Sequence, residues 1–335
     1  MRRLAALFLV LSVMAFSKTI HVTADYAVPT EDVIEYVGNV HALIEEEKIE
    51  LWSGELKITK IRGDWNLIEA SKTVHVKMED MESTSNRLVY EMDTKKGKMY
   101  QNVVVHVEDE QTTIKSDFLD FDRNSEIYEG SSTSLSVIVR KDVTIKGKSF
   151  KFDRKNSKLT VQGSFQAFKV EEKEGEKKEM KVFGERADID TSKDEMKVTG
   201  NVKIEYGEIK ASCDEMEFDM KAKGKLRGNV KTLVKAKKEN EKDIHIESDQ
   251  LDFDTDQDIY KGYSYGDKKV KIVRGKTTVY ARWFEYDRKE GKVYLHQDVV
   301  IDSKDKNVRI HASQAIIYTE TEKMELWNVK MEIKR

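Results

Sequence analysis

The chain has 335 residues, 39% apolar and 36% charged, and a formal net charge of −3. That balance leaves no basic footprint for nucleic acid, and a single cysteine excludes an internal disulfide. One proline in the whole chain means that long strands meet few interruptions.

The N-terminus predicts an export signal over residues 1–17. Arg2-Arg3 supplies the basic region, Leu4 to Phe16 the apolar run, and Ala15-Phe16-Ser17 the small residues that a signal peptidase needs. The apolar run is short for a membrane span, and no cysteine follows it as a lipid attachment point. Localisation outside the cytoplasm is therefore expected.

Residues 18–335 predict a continuous array of β-repeats, divergent over 18–75 and clearer in eight copies over 76–335. The stretch from Ile58 to Ala70 fits the repeat least well. The cleanest copy is Thr112-Thr113-Ile114-Lys115-Ser116-Asp117-Phe118-Leu119-Asp120-Phe121-Asp122. Taking the apolar residue before the closing acid as anchor, the copies fall at Met92, Phe121, Phe152, Ile189, Phe218, Phe253, Tyr286 and Tyr318, about 32 residues apart. A repeat of this length stacks neighbour on neighbour and does not enclose a single catalytic cleft.

Within a unit, an alternating strand such as Val143, Ile145 and Gly147 places every second residue on one face. The phase then slips. A small residue five positions before the anchor (Ser116, Gly147, Gly184, Cys213, Ser248, Ala281, Ser313) is out of phase with the apolar pair that follows it. Such a slip turns the apolar face outward unless the chain bends or bulges there. Each strand is thus expected to turn a corner, and Cys213 to fill a slot for small residues, as free cysteine packs like a small apolar group.

Each unit then turns through a polar loop led by an acid, as in Asp122-Arg123-Asn124-Ser125 and Asp287-Arg288-Lys289-Glu290-Gly291. Turn chemistry accounts for these repeated acids. The return strand carries Val198-Thr199-Gly200-Asn201-Val202 or Leu226-Arg227-Gly228-Asn229-Val230, where Gly and Asn tolerate positive φ and predict a second corner. The charged runs 171–178 and 235–242 are expected as exposed loop insertions.

Two bent sheets with apolar inner faces must shut those faces against something. Closed, they make a dry core; splayed, they line a trough. The residues on either reading are Leu119, Phe121, Phe150, Phe152, Met216, Phe218, Leu251, Phe253, Phe284, Tyr286, Ile316 and Tyr318. Trp52, Trp65, Trp283 and Trp327 are expected to pack in the core or groove.

The seven histidines show no metal-ligand spacing, and the chain carries no phosphate loop, nucleophile elbow or dinucleotide fingerprint. Asp252-Phe253-Asp254-Thr255-Asp256-Gln257-Asp258 has the acids of a calcium loop but lacks its Gly and terminal Glu. Neither catalytic residues nor a cofactor are expected.

The phrase Ser-Asp-x-Leu-x-Phe-Asp, followed after a turn by Gly-Asn-Val, resembles the OstA-like family. The matching residues are Ser116-Asp117 through Asp122, Ser248-Asp249 through Asp254, Gly184 to Val202 and Cys213 to Val230. That family includes the periplasmic bridge of lipopolysaccharide transport, its inner-membrane receptor and the N-terminal domain of its outer-membrane translocon. The resemblance implies an all-β, repetitive open β-jelly roll, two sheets folded into a V. It implies a non-enzymatic periplasmic carrier whose apolar slot holds the acyl chains of lipopolysaccharide or a similar amphipathic glycolipid on the way to the outer membrane. The partners implied are other OstA-like envelope proteins or further copies, joined by edge strands. This chain has more units than a single short bridge subunit. The alternative from the residues alone is a structural envelope scaffold with a closed core.

Overall fold

The computed structural model describes residues 19–79, 81–108, 111–173, 176–236, 242–321 and 323–333. The expected export signal lies outside the described residues. Among them, 24 strands from Ile20–Thr23 to Lys330–Ile333 form one antiparallel sheet. From Val33–Ile44 to Ile244–Asp254 each long strand pairs with the one before it and the one after it. Beyond that some passes are cut in two at one level, as in Thr277–Ala281 with Trp283–Asp287 and Met324–Trp327 with Lys330–Ile333, while Lys292–Ser303 and Val308–Tyr318 run uncut. Pro29 sits in the edge strand Tyr26–Pro29, where the missing N–H costs no ladder bond.

The corners are aligned across the sheet. Strand register shifts between Tyr100 and Val103, Thr199 and Val202, Arg227 and Val230, and His296 and Val299. On the return strands the two skipped residues are left-handed: Gly200 and Asn201 have φ of 82° and 50°, Gly228 and Asn229 of 74° and 47°, and Gln101 and Asn102 of 62° and 54°. On the facing strand two side chains lock the corner. The small residue donates to the carbonyl two residues on: Ser116 Oγ to Phe118 O at 2.9 Å, Ser53 Oγ to Glu55 O at 2.9 Å, and Cys213 Sγ to Glu215 O at 3.2 Å. The residue after it accepts from the Asn of the next strand, Asn229 Nδ2 to Asp214 Oδ2 at 2.8 Å and Asn201 Nδ2 to Glu185 Oε1 at 2.7 Å. The bulge strands backbone groups; the Ser and Cys bonds satisfy a carbonyl at their corners, and the Asn bonds tie one strand to the next. Burial pushes the Cys213 thiol up to about 12, so it stays protonated and packs as the slot requires.

Where alternation is clean, the expected anchors are the residues that point inward. Leu119 and Phe121, Phe150 and Phe152, and Met216 and Phe218 are all buried. Four corrections arise. Tyr90, not Met92, is the first anchor, since Gly97 pairs with both Tyr90 and Phe121. In the last copy Ala312 fills the small slot and Ala315 and Ile317 form the inward pair, so Ser313, Ile316 and Tyr318 fall on the other face. Ile58 begins no divergent region: Ser53, Leu56 and Ile58 repeat the slot and pair, all buried. The charged run at 171–178 is also not a loop insertion. Its backbone extends strands Lys158–Lys173 and Glu176–Asp190, with Lys173 opposite Glu176. Of the second charged run, residues 237–241 lie outside the described residues.

The corners divide the sheet into a first arm, running from the turns near 44–49, 206–209 and 274–277 to the corners, and a second arm beyond. Apolar side chains of both arms belong to one buried cluster. On the side away from the corners, a seam of polar clasps ties the tips together. Arg123 of a second-arm turn reaches the buried Glu47 of a first-arm turn, Nη1 to Oε2 at 2.7 Å and Nη2 to the carbonyl at 3.1 Å, and Tyr90 donates to the same carboxylate. Arg140 holds Asp194 and the Thr191 carbonyl at 2.9 and 2.8 Å. Arg288 holds Glu208 at 2.9 Å, and Arg274 the Thr319 carbonyl at 2.8 Å. In each clasp the second-arm partner lies 45 to 80 residues further along the chain. An offset that always has the same sign means that the arms are skewed, as the twist of a long sheet demands.

Two measurements check this account, both by urea denaturation of the full chain. Asn229→Val places a β-branched residue in the left-handed region and removes the Asp214 bond, so it should cost about 2 kcal/mol, whereas Asn229→Gly should cost less than about 1 kcal/mol. Arg123→Ala leaves the Glu47 carboxylate buried without its cation and should cost roughly 3 kcal/mol or more; the double variant Arg123→Met with Glu47→Leu should recover most of it. Equal losses for the two Asn229 variants would show that the corner does not depend on its left-handed residues.

Candidate functional site

The skew of the arms decides where the interior is open. The first-arm turns near 44–49, 140–143, 206–209 and 274–277 each meet a second-arm turn further along the chain. The first-arm turn at Ser303–Val308 meets no second-arm turn among the described residues, and there the two layers separate. The gap is a cavity of about 310 Å³, at the lower end of ligand-pocket volumes and about twice a cavity that takes up benzene (~150 Å³).

Both arms line it. Ile246, Ile272, Val279 and Ile310 come from the first arm, and Phe284, Tyr286, Val293, Ile317 and Met324 from the second. Phe284 is fully buried and forms the floor near the corner. Its ring lies over Gly262 on the paired strand, where a Cβ would strike it. Towards the seam the walls become half-buried, with Ile272, Val293, Ile310, Ile317 and Met324 packed on the core but partly open. Burial pushes the Tyr286 phenol above its ordinary range, so it lines the slot as a neutral group. The rim at the first-arm tips is polar: Lys242, Arg274, Asp305 and Lys306.

The twelve residues singled out from the sequence divide into four sets. Leu119, Phe121, Phe150, Phe152, Met216, Phe218 and Leu251 are buried in the closed section of the array. Phe253 is half-buried and tilts against Phe218 at 5.9 Å. Phe284 and Tyr286 line the cavity. Ile316 and Tyr318 lie on the outer face, where Tyr318 donates to Glu325 at 3.1 Å and carries Lys292 and Lys323 over its ring. The cavity's first-arm wall is missing from the set. Its signal was present in the alternation of Ile244, Ile246 and Ser248, and of Val308, Ile310 and Ala312, read as strand but not as slot.

Trp65 packs against the core, as expected, with Lys60 Nζ 4.8 Å above its ring. Trp52 and Trp283 do not. Both lie on outer faces, Trp52 stacked between His41 at 5.1 Å and His75 at 4.9 Å, and Trp283 on His296 at 3.8 Å. Trp327 is largely exposed on the last strands with Val329, Met331 and Ile333. Among the described residues no three His, Cys, Asp or Glu side chains converge on a point that would hold a metal.

No family model matches the chain, and no curated protein matches it. Solved structures do match. One of them is LptH, the LptA homologous periplasmic component of the conserved lipopolysaccharide transport device from Pseudomonas aeruginosa. It is 13% identical, with a TM-score of 0.22 over 47% of this chain and 95% of that chain. The all-β assignment rests on the chain's own strand pairing, not on that likeness.

Proposed function

We propose that this protein is a non-enzymatic periplasmic carrier that holds the acyl chains of lipopolysaccharide, or of a similar amphipathic glycolipid, between its two arms on the way to the outer membrane. The observation that carries the reading is the cavity of about 310 Å³, walled by apolar side chains from both arms and uncovered at its end. Six methylenes buried there would gain about 5 kcal/mol. The Ser-Asp and Gly-Asn-Val phrases of the sequence, which fall at the corners, resemble those of the OstA-like family.

The partners follow from the same skew. At the C-terminal end the first arm is uncovered, and the last strands present Trp327, Met331 and Ile333 beside an edge without a neighbour among the described residues. At the N-terminal end the first second-arm turns precede every clasp, and Tyr26 and Val28 are exposed on the edge strand. A further β-repeat module, from another envelope protein or a second copy, would pair with such an edge and extend the slot. A second reading, an envelope scaffold with a closed core, is favoured by the tight packing of the middle section, where Val202, Met216 and Val198 have no exposed surface.

Site-specific photo-crosslinking separates the two. A photoreactive residue at Ile310 or Ile317 in the exported protein should give adducts containing glycolipid, and one at Leu119 in the closed section should not. Crosslinks at Ile310 and Ile317 that contain only protein would reject the carrier and leave the scaffold.

A further inference from the structure

The slot changes character along its depth. Near the corner its walls are Phe284, Val279 and Ile301. At the first-arm tips three cations stand together on three consecutive turns: Lys242, Arg274 and Lys306. They converge through pairing of the strands that carry them. Ile244 pairs with Arg274 and Thr277 with Ser303, and the Lys242 side chain lies over Gly275, with Nζ 3.0 Å from where a Cβ would stand. The one acid on this rim, Asp305, is already held by Lys276 at 2.9 Å. Lys242 and Lys306 have no ion-pair partner among the described residues. Arg274 spends one nitrogen on the Thr319 carbonyl, and its Nε is buried without a hydrogen-bond partner. In a chain of net charge −3, uncompensated positive charge is thus concentrated where the apolar slot meets water.

The buried Arg274 Nε left without an acceptor is costly, and an anion at this rim would accept from it and from the exposed Lys242 and Lys306 in charge-assisted bonds. We propose that the slot takes a single alkyl chain with an anionic head, a phosphate or carboxylate, whose tail lies on Phe284, Ile272 and Val293 and whose head is held by Lys242, Arg274 and Lys306. This rests on the slot being a ligand site, as argued above. The volume suits one chain, so a lipid with several chains would place one at a time in this end of the array.

Calorimetric titration of the full chain with three amphiphiles of equal tail, each below its micelle concentration, tests the proposal: dodecyl phosphate, dodecyl maltoside and dodecyltrimethylammonium. Dodecyl phosphate should bind at least tenfold more tightly than the other two, and the advantage should shrink as salt rises from about 50 to 500 mM, as the Debye length falls. The double variant Lys242→Gln with Lys306→Gln should lose about tenfold in affinity for the phosphate and none for the maltoside. Arg274 is left intact because it clasps the seam, and an unchanged urea midpoint verifies that the variant is folded. Equal affinity for all three heads, or no effect of the variant, overturns the anionic head while the apolar slot stands. Saturable binding of none of the three overturns both.

Discussion

Everything in this molecule depends on how a β-strand is made to bend without losing its partners. A sheet with one apolar face must bury it, and a chain of this length with no helical layer among its described residues can do so only by folding the sheet onto itself. On most return strands two left-handed residues make that bend; Ile127–Arg140 has none at its corner and bulges over the longer stretch between Ser131 and Val137. The corners shift register, so that the inward side chains before and after the corner point into one interior. The cost is backbone strain and stranded polar groups, offset locally by the Ser or Cys hydroxyl or thiol and by the Asp–Asn or Glu–Asn bond to the next strand. Because each lock links two neighbouring strands, the corners are kept in line along the array, and the fold line is straight relative to the ladder.

A folded sheet still has to twist, and the seam records how much. Clasps such as Arg123 with Glu47 and Arg288 with Glu208 join turns separated by two or more units, always in one sense. The skew covers the clasped first-arm turns and leaves the one at Ser303–Val308 without a second-arm turn among the described residues. The closed core and the open trough are therefore not alternatives for this chain. Both occur, and the position along the array decides between them. The slot lies beneath the turn at Ser303–Val308, and its apolar floor and basic rim follow from what lies near the corner and what lies near the tips.

The outer faces play a different part. Trp52 between two histidines and Trp283 on His296 lie in ladders with their neighbours on the surface, where cross-strand aromatic pairs stabilise a sheet without reaching its core. Salt bridges between facing strands, such as Lys151 with Glu129 and Lys158 with Asp190 at 2.6 Å, do the same for the charged third of the chain. Being exposed on at least one side, they contribute little each; their effect is to keep both outer surfaces soluble.

By itself the amino-acid sequence determined the local geometry: which residues form strands, where each strand bends, and which side of the bend is apolar. These are properties of adjacent residues, written in an alternation of period two, a slip at a small residue and a Gly-Asn pair that tolerates positive φ. Where that local signal is degenerate it misleads. Tyr90 and Met92 are in phase with each other and both apolar, which displaced the first anchor by two, and Ile316 and Ile317 are adjacent and alike, which displaced the last by one. The seam, the skew and the place where the slot opens were decided only by tertiary structure. The clasps join residues 45 to 80 apart with no local mark, and the accumulated twist that pairs them is a property of the whole sheet, not of any one repeat.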